Sequence, residues 1–523
     1  MKNPVRALRH GALMPLITLR LTSFCAASKL FFAASQKGFK LTVLIDALQT
    51  SWPRSLRGVR NTVRMTNRRH AYLYYSLCLV LVTLISARSG AQTFPEPIRE
   101  HLLNGLTVLF AERPGDPNVL IKLRVESGAA FDLAGKGGTM ALLGDVLFPD
   151  PVTREYVSEQ LGGRLEVSTN HDAIDVTISG RANELERIVD FLRGAMVTPQ
   201  ITPENVIKIR DAKIRQLSEL ANSAAENADR EIAVRLFGNY PYGHSARGTV
   251  GSVSRIDRPD LMLARERFLN AKDATIVVIG GVDRGRVMRA LRQLLGPWQQ
   301  GNRTVPATFR QPNPPDARVL VIDQPGADTA EVRLAVRGLA RSDRDAEAAA
   351  LLALIVRDRL RASAQELGTA FARHEAHDLP GMFVLGASVP NASAAKAIAN
   401  ARDVIRSLAA TGPTALEFEH AREEMLAQIS RQDSKEDLAE VTADNWLLME
   451  LYKLTPPANQ IRSLTQSDLQ RVAGKLFKDP AHAAVVVGNA ELLKLSLGGA
   501  IEMRSTKPEV KTATETVMPT RKP

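Results

Sequence analysis

The sequence has 523 residues, of which 45% are hydrophobic and 24% charged, a composition typical of folded globular proteins and unlike that of collagen or a mostly disordered chain. Its net charge of +12 would suit a nucleic-acid partner, but the distribution of the charge argues against one. Residues 1–91 contain 14 Lys and Arg and one acidic residue, whereas the remainder contains 54 basic and 55 acidic residues. A nearly neutral body lacks the basic surface that binds phosphate backbones.

The basic residues therefore belong to an N-terminal leader. Met65 opens a second start, where basic residues 67–70 precede an apolar run over 71–85 and small residues before Gln92. This pattern predicts a signal peptide over residues 65–91, preceded by a non-native or disordered stretch over 1–64, and hence export across the inner membrane to the periplasm. An organelle transit peptide and a retained N-terminal anchor remain as alternatives. Both cysteines, Cys25 and Cys78, lie in the leader, so no disulfide is expected in the body.

After the leader, hydrophobic patterns predict strands and helices mixed along the chain. Runs rich in β-branched residues predict strands at Val119–Val125, Ala173–Ile178, Ile276–Ile279, Val319–Ile322 and Ala483–Val487. Apolar residues at helical spacing predict one helix around Leu185–Met196 and another around Ile398–Leu408. We therefore predict the α+β class, with sheets that pack against helices.

Two pairs of similar segments indicate that the body contains one unit twice. Residues 256–283 resemble 464–490, and the segment from Thr202 resembles that from Thr414, at offsets of 208 and 212 residues. A polar, Pro-rich stretch over 297–317 predicts a linker between the units. The expected organisation is an N-terminal domain over 92–296, a C-terminal domain over 318–503 and a disordered tail over 504–523.

Several short motifs occur in a fixed order between about Phe94 and Met503. They are Asn104-Gly105-Leu106, Glu126-Ser127-Gly128-Ala129, Leu147-Phe148, Gly162-Gly163-Arg164, Tyr240-Pro241-Tyr242-Gly243 and Leu379-Pro380-Gly381-Met382-Phe383. With these motifs the chain resembles the pitrilysin/insulinase-type zinc peptidases, especially the single-repeat bacterial and mitochondrial-processing-peptidase branch. The resemblance implies two homologous domains, each a β-sheet packed with helices.

Active members of that family have an HxxEH motif on the helix that ends in Leu-Phe, where two His bind zinc and the Glu is the general base. Here those positions hold Ala141, Gly144 and Asp145. The position of the third ligand falls on Gln216, with Glu219 one turn later. Asp145 and Glu219 are therefore only weak candidate metal ligands.

The second half of active members supplies an Arg and a Tyr that stabilise the negative charge on the substrate carbonyl. These positions fall on Ala364 or Gln365 and on Phe371, which has no hydroxyl group. The resemblance thus implies a catalytically inactive protein with no cofactor, which would bind zinc only through an atypical site.

The resemblance also implies a function, namely that of a non-catalytic subunit in a secreted zinc-peptidase complex. The chain would form half of a peptide-binding chamber, paired with an HxxEH-bearing homologue or with a second copy of itself. Peptide would add as a strand to a sheet edge near Ser168, Thr169, Asn170, His171 and Asp172. Two alternatives remain: an active metallopeptidase with an atypical metal site, and a structural core-type subunit of a membrane assembly.

One further segment, His374-Glu375-Ala376-His377-Asp378, has the composition of a metal site. We expect it to lie on a strand, where residues three apart point to opposite faces and cannot bind one ion. Its histidines are therefore predicted to be packed or exposed side chains without a metal.

Overall fold

The computed structural model describes residues 96–301, 312–363, 369–435, 438–478, 481–498 and 501–505. Strands and helices alternate along these ranges and form two six-stranded sheets with helices packed on them. The predicted α+β class is therefore confirmed. The predicted signal peptide and most of the predicted tail lie outside the described residues. No helix within the described ranges combines the length and hydropathy needed to span a membrane.

The first sheet belongs to the N-terminal half. Its strands are β1 (Ile98–His101), β2 (Thr107–Glu112), β3 (Asn118–Val125), β4 (Arg164–Thr169), β5 (Ile174–Arg181) and β6 (Ala274–Gly280). They lie in the order β1-β2-β6-β3-β5-β4, and only the β2–β6 pair is parallel. Strand β4 therefore forms one edge of this sheet.

The second sheet repeats this arrangement in the C-terminal half. Its strands are β7 (Val319–Asp323), β8 (Thr329–Arg337), β9 (Thr369–Glu375), β10 (Met382–Pro390), β11 (Ala483–Gly488) and β12 (Ile501–Ser505). The order β7-β11-β8-β10-β9 matches β2-β6-β3-β5-β4, including the single parallel pair. In each sheet a sixth strand is added beside this shared set of five, and here the orientations differ: β12 is parallel to β7, whereas β1 is antiparallel to β2. The internal repeat predicted from the sequence is thus visible as a shared strand order.

The helices of the N-terminal half mostly cover one face of the first sheet. They are α1 (Thr139–Leu147), α2 (Val152–Gln160), α3 (Leu185–Met196), α4 (Pro203–Leu220), α5 (Ala224–Phe237), α6 (Val250–Val253), α7 (Arg258–Phe268) and α8 (Arg284–Leu294). Thr202 caps α4 by accepting the N–H of Asn205, and Pro203 occupies the first helical position. All of these helices except α5 contribute to the core on this face.

The helices of the C-terminal half are arranged in the same way on the second sheet. They are α9 (Ala346–Ser363), α10 (Ala394–Thr411), α11 (Ala415–Lys435), α12 (Leu438–Tyr452), α13 (Pro457–Ser463), α14 (Gln466–Phe477) and α15 (Ala490–Leu497). Helices α9, α10, α11 and α14 form the main core of this half.

Each half also contributes one helix to the sheet of the other half. Helix α5 packs on β8 and β11 of the second sheet, and helix α12 packs on β3 and β6 of the first. The α12 contact is made by Ala439, Ala443, Trp446 and Leu447. Because each sheet is covered on both faces, β6 and β11 are buried along their whole length.

Two boundaries expected from the sequence were misplaced by a few residues. Trp298, assigned to the linker, is buried in the N-terminal core, and its Nε1–H donates to the Leu269 carbonyl oxygen at 2.9 Å. Burial of a large indole ring stabilises the fold. The polar residues that follow Trp298 in the sequence led to its assignment to the linker. Arg504, assigned to the tail, still belongs to β12 and pairs with β7.

Candidate functional site

Helix α1 contains Ala141, Gly144 and Asp145, the positions predicted to correspond to the zinc-binding motif of active relatives. Asp132 fixes its first turn by accepting backbone N–H bonds from Gly138 at 2.6 Å and Met140 at 2.8 Å. Gly138 has a φ of +92°, and a Cβ there would lie 2.8 Å from the Arg247 carbonyl oxygen. Only glycine suits this entry into the helix, and the orientation of α1 is therefore well defined.

Two of the three motif positions are buried and have no functional side-chain group. Ala141 is 4% exposed. A Cβ at Gly144 would lie only 3.0 Å from Thr169 Oγ1 on β4, so a longer side chain has little room there. Neither residue can bind a metal ion or accept a proton from water.

The third motif position, Asp145, is occupied by an ion pair. Lys213 Nζ on α4 lies 2.8 Å from Asp145 Oδ2. The lysine side chain is 12% exposed and the aspartate 42%. Gln216 and Glu219, the predicted third-ligand positions, are exposed on the same helix. The lysine ammonium thus balances the charge of the carboxylate that remains.

These residues do not fit the zinc ion of a peptidase. A catalytic zinc site uses three protein ligands and an open position for water. The three motif positions on α1 offer one carboxylate, which already has a cationic partner.

Phe371, the residue at the position predicted for a carbonyl-binding Tyr, packs at the junction of β9, β10 and α5. Its ring centroid lies 4.8 Å from Arg333 Cζ and 5.0 Å from Arg373 Cζ, so two guanidinium groups flank it. A Cβ at Gly386 would lie 2.2 Å from the ring. Arg333 is buried and pairs with Asp229 of α5 at 2.6 Å. Ala364 and Gln365 lie outside the described residues.

The predicted peptide-binding segment, Ser168–Asp172, spans the end of β4 and the turn into β5. Ser168 and Thr169 belong to the strand. Asn170 shapes the turn, because its Oδ1 accepts the backbone N–H of Asp172 at 2.8 Å and that of Ala173 at 2.9 Å. The strand residues and the turn residues of this segment therefore have different roles.

The outer side of β4 has free backbone groups. The Asn170 N–H bonds to the carbonyl of Ala173, which lies opposite it. Bonded and non-bonded pairs alternate along an antiparallel ladder, so Leu165, Val167 and Thr169 direct their backbone groups away from β5. No described strand pairs with β4 on that side.

The turn residues His171 and Asp172 instead connect the two halves. Asp172 Oδ1 accepts the Tyr242 hydroxyl at 2.8 Å, and its Oδ2 lies 3.2 Å from Nδ1 of His377. The His171 ring lies 5.3 Å from the rings of both Tyr242 and His377. The Tyr242 hydroxyl also accepts the backbone N–H of Leu379 at 2.9 Å.

Burial and hydrogen bonding together determine the protonation of this cluster. Burial opposes ionisation of Asp172, but the hydrogen bond and charge of His377, with the hydrogen bond from Tyr242, hold its pKa below the usual value. Burial lowers the pKa of His171. Burial and the nearby Asp172 carboxylate raise the pKa of Asp378, which accepts the Tyr452 hydroxyl at 2.6 Å.

The expectation that a strand continues through His374–Asp378 is wrong for the end of that segment. Strand β9 ends at Glu375, and His377 lies in the loop that follows. The Pro380-Gly381 dipeptide was the available signal for a turn. His374 lies on the strand, and its Nε2 accepts the Leu339 N–H at 3.0 Å. Burial and the charge of Arg341 lower the pKa of His374 to about 4.

A different group on α9 and α11 contains three potential metal ligands, Asp358, His420 and Glu424, whose ligand atoms lie within 4.8 Å of one another. Arg357 already binds both carboxylates, at 2.8 and 2.6 Å for Glu424 and at 2.8 Å for Asp358. A metal ion would have to displace this guanidinium group. We therefore interpret the group as an ion-pair network that joins the two helices.

Comparison with known proteins finds a family match over one third of the chain. Residues 255–425 match the family described as Peptidase M16 inactive domain. The chain is 21% identical over 223 residues to the mitochondrial-processing peptidase subunit beta of Caenorhabditis elegans, covering 41% of this chain and 48% of that protein. The chain spans about half the length of the curated relatives it matches.

The fold is shared with solved structures of the same group. A peptidase M16 inactive domain from Pseudomonas fluorescens is similar with a TM-score of 0.67 and 19% identity, covering 76% of this chain and 99% of that one. A chain of complex III2 from Candida albicans is similar with a TM-score of 0.64 and 14% identity, covering 77% and 97%. The chain therefore has the fold of these M16 structures. The match over residues 255–425 and the shared fold confirm the predicted resemblance to the pitrilysin- and insulinase-type peptidases.

Proposed function

We propose that this chain is a non-catalytic member of the M16 group that binds peptides without hydrolysing them. The Lys213–Asp145 ion pair carries the proposal, because it occupies the contact between α1 and α4 where relatives would hold zinc. Ala141 and Gly144 supply neither a second ligand nor a general base. Loss of the metal and the base would forfeit on the order of 10 kcal/mol of barrier lowering.

The proposed binding surface is the open edge of β4. A peptide in extended conformation adds to this edge as a further strand and bonds to the backbone of Leu165, Val167 and Thr169. The exposed side chains of Glu166 and Ser168 lie between these positions. The free outer side of β4 supports this proposal.

The partner is proposed to be a homologue with an intact HxxEH motif, or a second copy of this chain. Together they would enclose a chamber in which the partner performs the hydrolysis. The signal-peptide pattern of residues 65–91 supports export to the periplasm as the location of such a complex.

The first test combines zinc content with peptidase activity, on the purified chain alone and after mixing it with an HxxEH-bearing homologue. We expect no stoichiometric zinc and no chelator-sensitive cleavage by the chain alone. The mixture should cleave peptides faster than the homologue by itself. One zinc per chain with chelator-sensitive cleavage would overturn the proposal, and Asp145→Asn and Glu219→Gln would then locate the atypical site. An unchanged rate in the mixture would contradict the subunit role and favour a purely structural one.

A second test addresses the edge of β4 with a fluorescent extended peptide. Val167→Pro removes one outward N–H and should weaken binding by about tenfold, since proline cannot donate to an added strand. Val167→Ala shortens the same side chain but keeps the N–H, and should bind nearly as well as the original chain. Equal binding by both variants would exclude this edge.

A further inference from the structure

A cavity of about 320 Å³ lies where the C-terminal helix α12 meets the N-terminal sheet. One wall is apolar and consists of Leu447, Leu448, Leu451 and the ring of Tyr452. The guanidinium groups of Arg124 and Arg341 lie among the polar residues of the other wall. The cavity thus places two guanidinium groups and the carboxylates of Asp172 and Asp444 beside an apolar surface.

Arg341 has no acidic partner within ion-pair distance among the described residues. Its backbone N–H bonds to the His377 carbonyl at 2.6 Å, and its Nη2 donates to the Ala376 carbonyl at 2.7 Å. Its Cζ lies 5.9 Å from the ring centroid of Tyr452. These contacts position the guanidinium group and leave most of its five donors available to a ligand.

Arg124 is already paired on the first sheet. Its Nη1 lies 3.0 Å from both carboxylate oxygens of Asp175, and its Nε is buried away from the cavity. Arg341 is therefore the guanidinium group that the cavity offers to a ligand. The carboxylates that line the cavity are already engaged, since Asp172 contacts His377 and Asp444 pairs with Lys122.

We propose that this cavity binds the C-terminal carboxylate of a peptide and places the last side chain on the leucine wall. Guanidinium groups bind carboxylates through paired, charge-assisted hydrogen bonds, and the volume suits one or two residues with an apolar side chain. This carboxylate site rests on the proposed peptide-binding function in one respect: that function identifies the carboxylate as the end of a peptide. Asp378, which bonds to the Tyr452 hydroxyl, and Glu347 both interact electrostatically with Arg341, so both compete with such a ligand.

The test measures binding of N-acetyl-Ala-Leu, its C-terminal amide, and an amidated peptide with an internal Glu by calorimetry at low salt. We expect the free acid to bind at least about tenfold more tightly than the amide. Arg341→Gln should weaken binding of the acid about tenfold, and Asp378→Asn should strengthen it. Arg344→Gln is the matched control, because it removes a neighbouring charge that is 85% exposed and outside the cavity.

Equal affinities for the acid and the amide, or equal effects of Arg341→Gln and Arg344→Gln in folded variants, would overturn the proposal. Binding of the amidated Glu peptide as tight as that of the acid would overturn the assignment to a C-terminus. Val167→Pro should leave binding of the short acid unchanged. If long peptides bind to the edge of β4 but the short acid does not bind, only the proposed carboxylate site in the cavity is refuted. If neither ligand binds, the proposed peptide-binding function is refuted as well.

Discussion

The ion pair on α1 and α4 predicts two substitutions with unequal effects on stability. Asp145→Asn leaves the ammonium of Lys213 without its partner in a place where only 12% of that side chain is exposed. Lys213→Met removes the cation but keeps an apolar stem, and the carboxylate it leaves behind is 42% exposed and can be hydrated. Loss of the aspartate should therefore destabilise the fold more than loss of the lysine.

The expected magnitude follows from the partial burial of the pair. Exposed pairs contribute roughly 0.2–1 kcal/mol, whereas breaking a fully buried pair costs about 3–5 kcal/mol. This pair lies between those limits. We therefore expect Asp145→Asn to lower the free energy of unfolding by about 2 kcal/mol and Lys213→Met by less than about 1 kcal/mol. The coupling energy between the two sites should be about 1 kcal/mol.

The assay is urea denaturation of the chain, both single variants and the double variant, analysed as a double-mutant cycle. The Asp150–Arg154 pair serves as the control, because both side chains are 58% exposed and its coupling should stay below about 0.5 kcal/mol. A larger loss from Lys213→Met than from Asp145→Asn would refute the reasoning, as would a coupling energy of zero.

Three further predictions concern the rest of the fold. Because the pKa of His374 falls from 6.5 to about 4 on folding, the unfolded chain binds a proton between these pH values that the folded chain does not. Stability should therefore fall as the pH drops through this range, by up to about 3 kcal/mol. The urea midpoint of His374→Gln should depend less on pH than that of the original chain. The control His420→Gln, which changes an exposed histidine, should keep the original pH dependence. Gly386→Ala should destabilise by about 1–3 kcal/mol through its clash with Phe371, and by less in a Phe371→Ala background, as measured by urea denaturation. Trp446→Ala should lower the free energy of unfolding by about 3–5 kcal/mol, because this side chain is 1% exposed between α12 and the first sheet.

Much of the fold was predictable because its strands are buried on both faces. The β-branched runs at Val119–Val125, Ile276–Ile279 and Ala483–Val487 fall within β3, β6 and β11. Such runs are a local signal that needs no knowledge of the partner strand. The exchange of α5 and α12 was not predictable in this way, because the partner surface of each helix lies in the other half of the chain.

The same distinction applies to the site. The lack of an HxxEH motif was readable, because the spacing of that motif on one helix is local. The ion pair between Lys213 and Asp145 was not predictable, because 68 residues separate the two. A lysine on a polar helix usually indicates a solvated face. The contact of His377 with Asp172 was not predictable for the same reason, because 205 residues separate the two in sequence.

The exchange of helices also explains why the fold does not depend on the predicted motif positions. The central strands depend on apolar contacts from both halves, such as those of Trp446 on the first sheet, and not on any residue of the motif on α1. The Asp132 cap and Gly138 hold α1 in place, and Lys213 supplies the positive charge that Asp145 requires. Under the proposed function, substitution of the zinc ligands would remove the chemistry of the site, whereas the edge of β4 and the cavity beside α12 do not depend on the motif positions. Such a chain would keep its proposed surfaces for peptide binding after the residues for hydrolysis had been replaced.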